Sequence, residues 1–541
     1  MRVRQKTRYL SVHLISGTYV VLIGINVEEE ILDGLLGFAI RRIDHTEQEE
    51  YWLNGFKTFE NVEPKPKPGE LVSLRKHPLQ SFRWGDYTAK PDHQYSYKIV
   101  ALYGTPQRLA EGYSIVGTTT TEPVDRGRHA VFFNRGTCSS QAYARRFGDQ
   151  KPSNLPNKDE AYRWLSRGLE EGILNFIRQA NEPKYALRAA VYEFTHLPVL
   201  EAFKKAKDDC SDVVIIFHAK EGKETTAKNL AAIKSVELDQ NGIVKKRTAN
   251  KSYHAHNKFI ILLENGEPKQ VFTGSTNFTE SGIFGQSNVG HIVRDSELAK
   301  AYFEYWKILD RDEEARHIKD DVMTLSPVPE SLPPNSITPI FSPRRKLKAL
   351  EWYAELMDKA NETVCLTLPF GVHRLFDKVF EKDKDYLRYI LFESKRHMTM
   401  LKWDKEAIAI AGAQIETGEL DRWLKEISLG TWVHYVHTKY MLIDPLGDDP
   451  IVITGSANFS ESSTEDNDEN MMVIRGDTAL ADIYLGEFMR LFSHYYFRDV
   501  VSRQREPEAT TRSPYLVESD EWSDEYFKED TIKFKQRILF S

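Results

Sequence analysis

Apolar positions along this chain follow two different periods. Up to about residue 122 they alternate: Tyr95, Tyr97, Ile99 and Ala101 form one strand face, and 18–23, 20–25 and 36–40 read as further strand segments. Turn-rich stretches such as Pro64-Lys65-Pro66-Lys67-Pro68-Gly69 separate them. This predicts an N-terminal all-β sandwich. From about 124, helix and strand signals alternate instead. Residues 161–175 read as one amphipathic helix, with Trp164, Leu165, Leu169 and Ile173 on a single stripe. A strand over 187–194, a helix over 197–206 and a strand over 213–218 follow. The same order returns as 364–368, 374–380 and 386–392, so the second part repeats the first. Between them, 326–343 carries six prolines and reads as a stiff extended crossing. The tail after about 501 mixes aromatics (Tyr515, Trp522, Tyr526, Phe527, Phe534, Phe540) with charge and is expected to wrap the body.

The repeat carries chemistry. His256-Asn257-Lys258 precedes Gly274-Ser275-Thr276-Asn277, and His437-Thr438-Lys439 precedes Gly455-Ser456-Ala457-Asn458. Every counterpart is 181 places away (437 − 256, 439 − 258, 456 − 275, 458 − 277). Residues two apart on a strand face the same way, so each histidine shares a surface with its lysine. The following Gly-Ser closes a second strand and presents an asparagine beside that surface. Each copy thus offers a titratable nitrogen, a cation, a hydroxyl and an amide, and alone is an incomplete catalyst. Face to face, one imidazole can attack phosphorus while the other protonates the leaving oxygen. Two lysines and two asparagines then surround the non-bridging oxygens. With that much fixed positive charge, no metal or cofactor is expected.

These residues resemble the phospholipase D superfamily, whose motif is His-x-Lys-x4-Asp followed by Gly-Ser-x-Asn. The second copy matches fully with His437, Lys439, Asp444, Gly455, Ser456 and Asn458. The first departs at the acid, with Leu263 in its place and Glu264 next; the resemblance implies a structural role for that acid. It also implies a carboxylate supporting one histidine, and Glu469 stands where small bacterial nucleases of the family carry it. The first copy reads Gln286-Ser287-Asn288 there, taken with a one-residue slip that sets Ser287 opposite Glu469, and lacks the acid. The resemblance covers about 191–500. The expected site is therefore His256, Lys258, Ser275, Asn277, His437, Lys439, Ser456, Asn458 and Glu469. In related two-half enzymes the first histidine is the nucleophile, so Glu469 is expected to reach across to His256 and leave His437 as general acid. A degenerate, idle duplicate is the competing reading, yet both histidines, lysines and asparagines are retained.

Composition changes little. The 541 residues are 41% apolar and 28% charged, ordinary for globular protein. Cys138, Cys210 and Cys365 lie far apart without metal spacing and read as buried small hydrophobes of a reducing compartment. The basic start and the apolar 19–27 run read as strand rather than secretory signal, and no other run approaches membrane-spanning length. The expected location is cytoplasmic. The net charge of −7 excludes a chain coated in cations but not a local basic groove. Arg126, Arg128, Arg135, Arg145 and Arg146, interleaved with Phe132, Phe133 and Tyr143, suit either phosphate contact with base stacking or a partly buried structural segment.

The expected architecture is multidomain. Residues 1–122 form an all-β sandwich similar to fibronectin type III; 124–322 and 346–500 form two α/β phospholipase D-like halves packed as a pseudo-dimer; 323–345 links them, and 501–541 is a tail. The expected function is a metal-independent phosphodiesterase hydrolysing nucleic acid, DNA or RNA, through a phosphohistidine. The phrase Phe284-Gly285-Gln286-Ser287-Asn288 resembles the cytosolic nuclease-like branch. The alternatives are a peripheral phospholipase or lipid transferase acting on membrane lipid, and a binding module without turnover. The N-terminal domain is read as a docking module, for a homo-oligomer or regulatory partner, or as a spacer.

Overall fold

Side-chain alternation along the motif strands decides the layering. In the strand Lys258–Glu264, Phe259, Ile261 and Leu263 enter one core, and Ile260 and Leu262 another. In the strand Tyr440–Ile443, Tyr440 and Leu442 join that same first core, and Met441 and Ile443 a third. Both sheets are therefore apolar on two faces, which is why their central strands read as continuous hydrophobic runs. The shared core also takes Tyr302, Tyr305 and Trp306 of the helix Ser296–Asp310, and Tyr484, Phe488 and Phe492 of the helix Thr478–Arg503. The helices Leu169–Arg178 and Leu197–Asp208 cover the outer face of the first sheet, and Lys348–Asp358 that of the second.

The two seven-stranded sheets have the same order. The first runs His129–Phe133, Val289–Val293, Glu267–Gly274, Lys258–Glu264, Tyr185–Val191, Asp212–His218, Val244–Arg247. The second runs Ile337–Ser342, Glu469–Arg475, Ile451–Gly455, Tyr440–Ile443, Thr363–Leu368, Leu387–Phe392, Ala407–Ala411. Two isolated bridges join the halves: Ala255 with Asp468, and Ser287 with Val436. Each is the other's image under the 181-residue offset, so the halves meet about an approximate two-fold relation at their motif ends.

This computed structural model describes residues 1–62, 70–136, 141–148, 150–209, 211–240, 242–249, 253–401, 404–412, 436–503 and 515–541. Cys138, Cys210 and the proline-lysine stretch within 64–69 lie outside them; Cys365 is buried and free. Among the described residues no helix is long and apolar enough to cross a membrane.

The N-terminal region is strand-rich as expected. Two four-stranded sheets, one holding Leu10–Ser16 and Val21–Val27 and the other Gly37–Asp44 and Gln94–Thr105, share a core of Val12, Leu14, Ile23, Phe38, Ile40, Tyr97 and Ile99. It docks on the second half, away from the motif ends. The Arg2 guanidinium binds Asp482 and the carbonyls of Pro445, Leu446 and Gly447, and the Tyr87 hydroxyl reaches Ser493 at 2.8 Å. The described tail closes this junction: Trp522 enters the N-terminal core and donates to Leu35 O, while Lys535 pairs with Glu406.

Several local expectations need correction. Residues 18–20 are turn, and the strand begins at Val21, because the chain must reverse after Ser16. The helix expected over 161–175 is two helices, Lys158–Ser166 and Leu169–Arg178, broken where Arg167 (φ 48°) and Gly168 (φ 88°) turn left-handed. Only Asp377–Phe380 of 374–380 is helical. Within the proline-rich crossing, Ile337–Ser342 forms the edge strand of the second sheet, a place where prolines are tolerated.

Candidate active site

Both motifs emerge at the same ends of their sheets. The glycine of each Gly-Ser is dictated by packing: a Cβ at Gly274 would sit 2.1 Å from Val289 O, and at Gly455 2.2 Å from Asn470 O. Those carbonyls belong to the strands that deliver Asn288 and Glu469, so the glycines let the supporting residues approach. The acid of the second copy is structural. Asp444 accepts the backbone N–H groups of Asn361, Glu362 and Thr363 at 2.7–3.1 Å. Its counterpart Leu263 is simply part of the shared core, and Glu264 pairs with Lys184.

The two histidines are held differently. His256 Nδ1 lies 2.9 Å from the carboxylate of Glu469, contributed by the other half. Glu469 also accepts from Ser456 Oγ (2.6 Å) and Asn467 Nδ2 (3.3 Å). His437 Nδ1 lies 2.8 Å from Asn288 Oδ1, again across the halves. Asn288 accepts from Ser275 Oγ at 2.8 Å and donates Nδ2 to Gly282 O at 2.8 Å, which fixes its carbonyl toward the ring. Accepting oxygens at Nδ1 favour a proton on that nitrogen in both imidazoles, which leaves Nε2 as the reacting nitrogen. This corrects the slip assumed from sequence: Asn288, not Ser287, answers Glu469. Ser287 instead accepts the His437 N–H, as the Asp468 carbonyl accepts that of His256. Ser275 and Ser456 act on the histidine partners.

Burial dominates the electrostatics. Lys258 and Lys439 lie within the site, each donating to the carbonyl of its own histidine. Burial lowers Lys258 to about 8, and it pushes Lys439 well below its ordinary value, with Lys258 repelling it further. Burial and both lysines hold His256 uncharged. Burial raises Glu469 to about 7 against the pull of Lys258. Lys258 and Lys439 thus face each other and Glu469, and Lys258 faces Glu193 as well, whose carboxyl burial raises. Asn277 donates to Glu193, and the Oδ1 atoms of Asn277 and Asn458 are buried with no hydrogen-bond partner among the described residues.

Sequence reasoning missed several residues. Glu193 stands beside Asn277 and Lys258, at the position held in the second half by the exposed Phe370. Tyr192 packs on His256 with ring centroids 4.8 Å apart. Asp468 forms a buried ion pair with Arg247 of the first half at 2.9 Å, locking the bridge that precedes His256. Asn470 bonds Asn257 and Thr273 across the halves and Ser456 within its own. Only Asn288 carried a usable signal, being 181 places before Glu469. In the arginine-rich stretch Arg145 and Arg146 are exposed, and most of the other arginines have partners. Arg126, Arg128 and Arg146 pair with Asp477, Asp295 and Glu160, Arg135 stacks on Trp164, and Phe133 and Tyr143 are buried. Among the described residues, one carboxylate group could hold a metal: Asp383, Asp404 and Glu406, at the far end of the second sheet. Arg388 and Lys535 already bind Asp404 and Glu406.

A family model described as "Cardiolipin synthase, PLD-like domain" matches residues 173–309 and 388–492, which carry both halves of the site. Comparison with curated sequences finds no match. Among solved structures, phosphatidylserine synthase of Haemophilus influenzae is 12% identical, with TM-score 0.42 over 63% of this chain and 89% of that one. Nuc, a phospholipase D family member of Salmonella typhimurium, is 15% identical, with TM-score 0.23 over 29% of this chain and 95% of that one. Polyphosphate kinase of Porphyromonas gingivalis is 10% identical, with TM-score 0.38; the match covers 56% of this chain and only 42% of the kinase.

Proposed function

We propose that this chain is a metal-independent phosphodiesterase that hydrolyses nucleic acid through a phosphohistidine on His256. The observation that carries the reading is the unequal support of the two histidines: the Glu469 carboxylate on His256, the neutral Asn288 amide on His437. A carboxylate behind Nδ1–H raises the nucleophilicity of Nε2 and stabilises the positive ring that forms when Nε2 bonds phosphorus. An amide holds the same tautomer without retaining a proton, which suits a group that must give one up. His256 Nε2 attacks phosphorus, the bond to the leaving oxygen breaks, and that oxygen takes the Nε2 proton of His437. The His437 ring enters the step as imidazolium with a proton on each nitrogen and leaves it neutral. Water then attacks phosphorus, passing a proton to His437 Nε2, and the N–P bond breaks to restore His256. Lys258, Lys439, Asn277 and Asn458 stabilise the non-bridging oxygens.

Nucleic acid is favoured over lipid by the aromatic rim. Tyr192 is half-buried beside His256, and Phe370, the second-half counterpart of Glu193, is 45% exposed. Such rings stack bases. The family match favours a second reading, a lipid phosphodiesterase or transferase acting on membrane lipid. The test presents single-stranded DNA, duplex DNA, RNA and phosphatidylcholine vesicles in parallel in excess chelator. Nucleic-acid cleavage with full activity is expected. Lipid cleavage alone moves the reading to the second, and turnover restored only by a divalent ion removes the mechanism.

A further inference from the structure

Next to His256 lies a group of side chains that the reaction above does not use. The Tyr192 ring is packed by three histidines, with centroids 4.8 Å from His256, 5.5 Å from His254 and 5.1 Å from His218. His218 and His254 are themselves 5.6 Å apart. His218 ends the strand Asp212–His218 and is 2% exposed. Its Nδ1 accepts the backbone N–H of Ala255 at 3.3 Å, so in the neutral ring the proton sits on Nε2. That Nε2–H is buried with no acceptor among the described residues, and His254 Nδ1 is buried without a partner as well. Buried donors of this kind are rare unless a ligand satisfies them.

The surroundings indicate the sign of that ligand. Burial depresses both imidazoles, Lys220 and Lys223 of the segment after His218 add to it, and Glu469 opposes it at His254. Glu224 of the same turn is engaged by Lys228 at 2.7 Å, and Glu221 is exposed. The second half differs at the residue that corresponds to His218. By strand register the counterpart of His218 is Glu393, whose carboxylate accepts the N–H of Val436 as His218 accepts that of Ala255. The same backbone support is thus given by a carboxylate on one side and by an imidazole with a spare donor on the other. Cations follow on both sides, Lys220 and Lys223 after His218 and Lys395 and Arg396 after Glu393. Among these residues it is therefore the spare imidazole donor that sets the His256 side apart.

We infer that His218, His254, Lys220 and Lys223 form a subsite for a second phosphate, adjacent to the scissile one and one aromatic ring removed from His256. This rests on the nucleic-acid reading, since a strand presents a neighbouring phosphate and a phosphatidylcholine headgroup does not. The subsite gives the cleft a polarity: the strand continues past the nucleophile on the His218 side.

The test compares a single-stranded oligonucleotide with bis(4-nitrophenyl) phosphate, which has one phosphate, in the full chain. Lys220→Gln with Lys223→Gln changes accessible side chains, and His254→Gln provides a second variant. Each should lower the ratio of kcat/KM for the oligonucleotide to that for the small diester, about tenfold for the double variant. The double variant should also flatten the salt dependence of oligonucleotide binding by about one phosphate contact's slope, roughly 0.7 in the log–log plot. An unchanged ratio and slope, with both substrates cleaved, overturns the subsite while leaving the nuclease reading intact. An equal fall on both substrates also overturns it, because the residues would then serve the scissile phosphate or the fold. If the unsubstituted protein cleaves the small diester and phosphatidylcholine but no nucleic acid, the underlying reading falls and the subsite with it.

Discussion

The two halves share a sheet order, a motif and an offset, yet differ at almost every residue that supports the motif. Behind the histidines stand Glu469 and Asn288; beyond the motif strands, Asp444 and Leu263; at the rim, Glu193 and Phe370; beneath the preceding backbone, His218 and Glu393. On the proposed mechanism the motif residues are symmetric because they meet one shared phosphate, and the residues behind them are not, because attack and proton donation are different tasks. A duplicated scaffold thus fixes geometry, while the supporting side chains divide the labour.

Removing either histidine should be the largest perturbation. His256→Ala and His437→Ala should each reduce kcat by about 10⁴-fold or more, and the double variant should be no worse than the poorer single, since the two act as one unit. Activity surviving the loss of either half would contradict a shared site. Lys258→Ala and Lys439→Ala should follow at roughly 10²–10³-fold, the usual consequence of losing a transition-state donor. Steady-state kinetics on the small diester reads both.

Acidity should sharpen the contrast between the histidine partners. Glu469 must be ionised to support His256, and burial puts it at about 7, so kcat/KM should rise with pH through that value. Both lysines must be protonated; burial lowers Lys258 to about 8 and pushes Lys439 well below its ordinary value, so kcat/KM should fall again on the alkaline side. A bound phosphate pulls the lysines back up, and the alkaline limb of kcat should lie higher than that of kcat/KM. Glu469→Gln should lose the acid limb and about 10²-fold in rate; a limb unchanged in this variant assigns it elsewhere.

The smallest effect concerns the acid that only one motif keeps. Asp444→Ala frees three backbone N–H groups and should lower stability by about 1–3 kcal/mol in denaturant unfolding. Its effect on turnover should be less than threefold where the chain is folded. A large loss of rate without loss of stability would give the acid a chemical role.

Much of this was legible in the sequence. The motif histidines, lysines and serines come together with Glu469 across the halves, and the layered halves follow from the continuous apolar strands. The failures have physical causes. A stripe of apolar residues continues across Arg167-Gly168 although the backbone breaks there, because periodicity reports burial and not dihedrals. Asn288 was passed over because an acid was sought, whereas its amide works through a carbonyl fixed by Ser275 and Gly282. Tyr192, His218 and Glu193 come from strand ends in another part of the chain, and only the sheet order brings them to the motif.

The division of labour is tested most directly by rapid acid-free quenching during turnover and mapping of the phosphorylated residue. Phosphate should be found on His256, accumulating when His437→Asn slows its release. Asn288→Asp, which makes the two partners alike, should allow phosphate on His437 as well. Phosphate on His437 alone in the unsubstituted protein would contradict the assignment and reverse the roles of the halves.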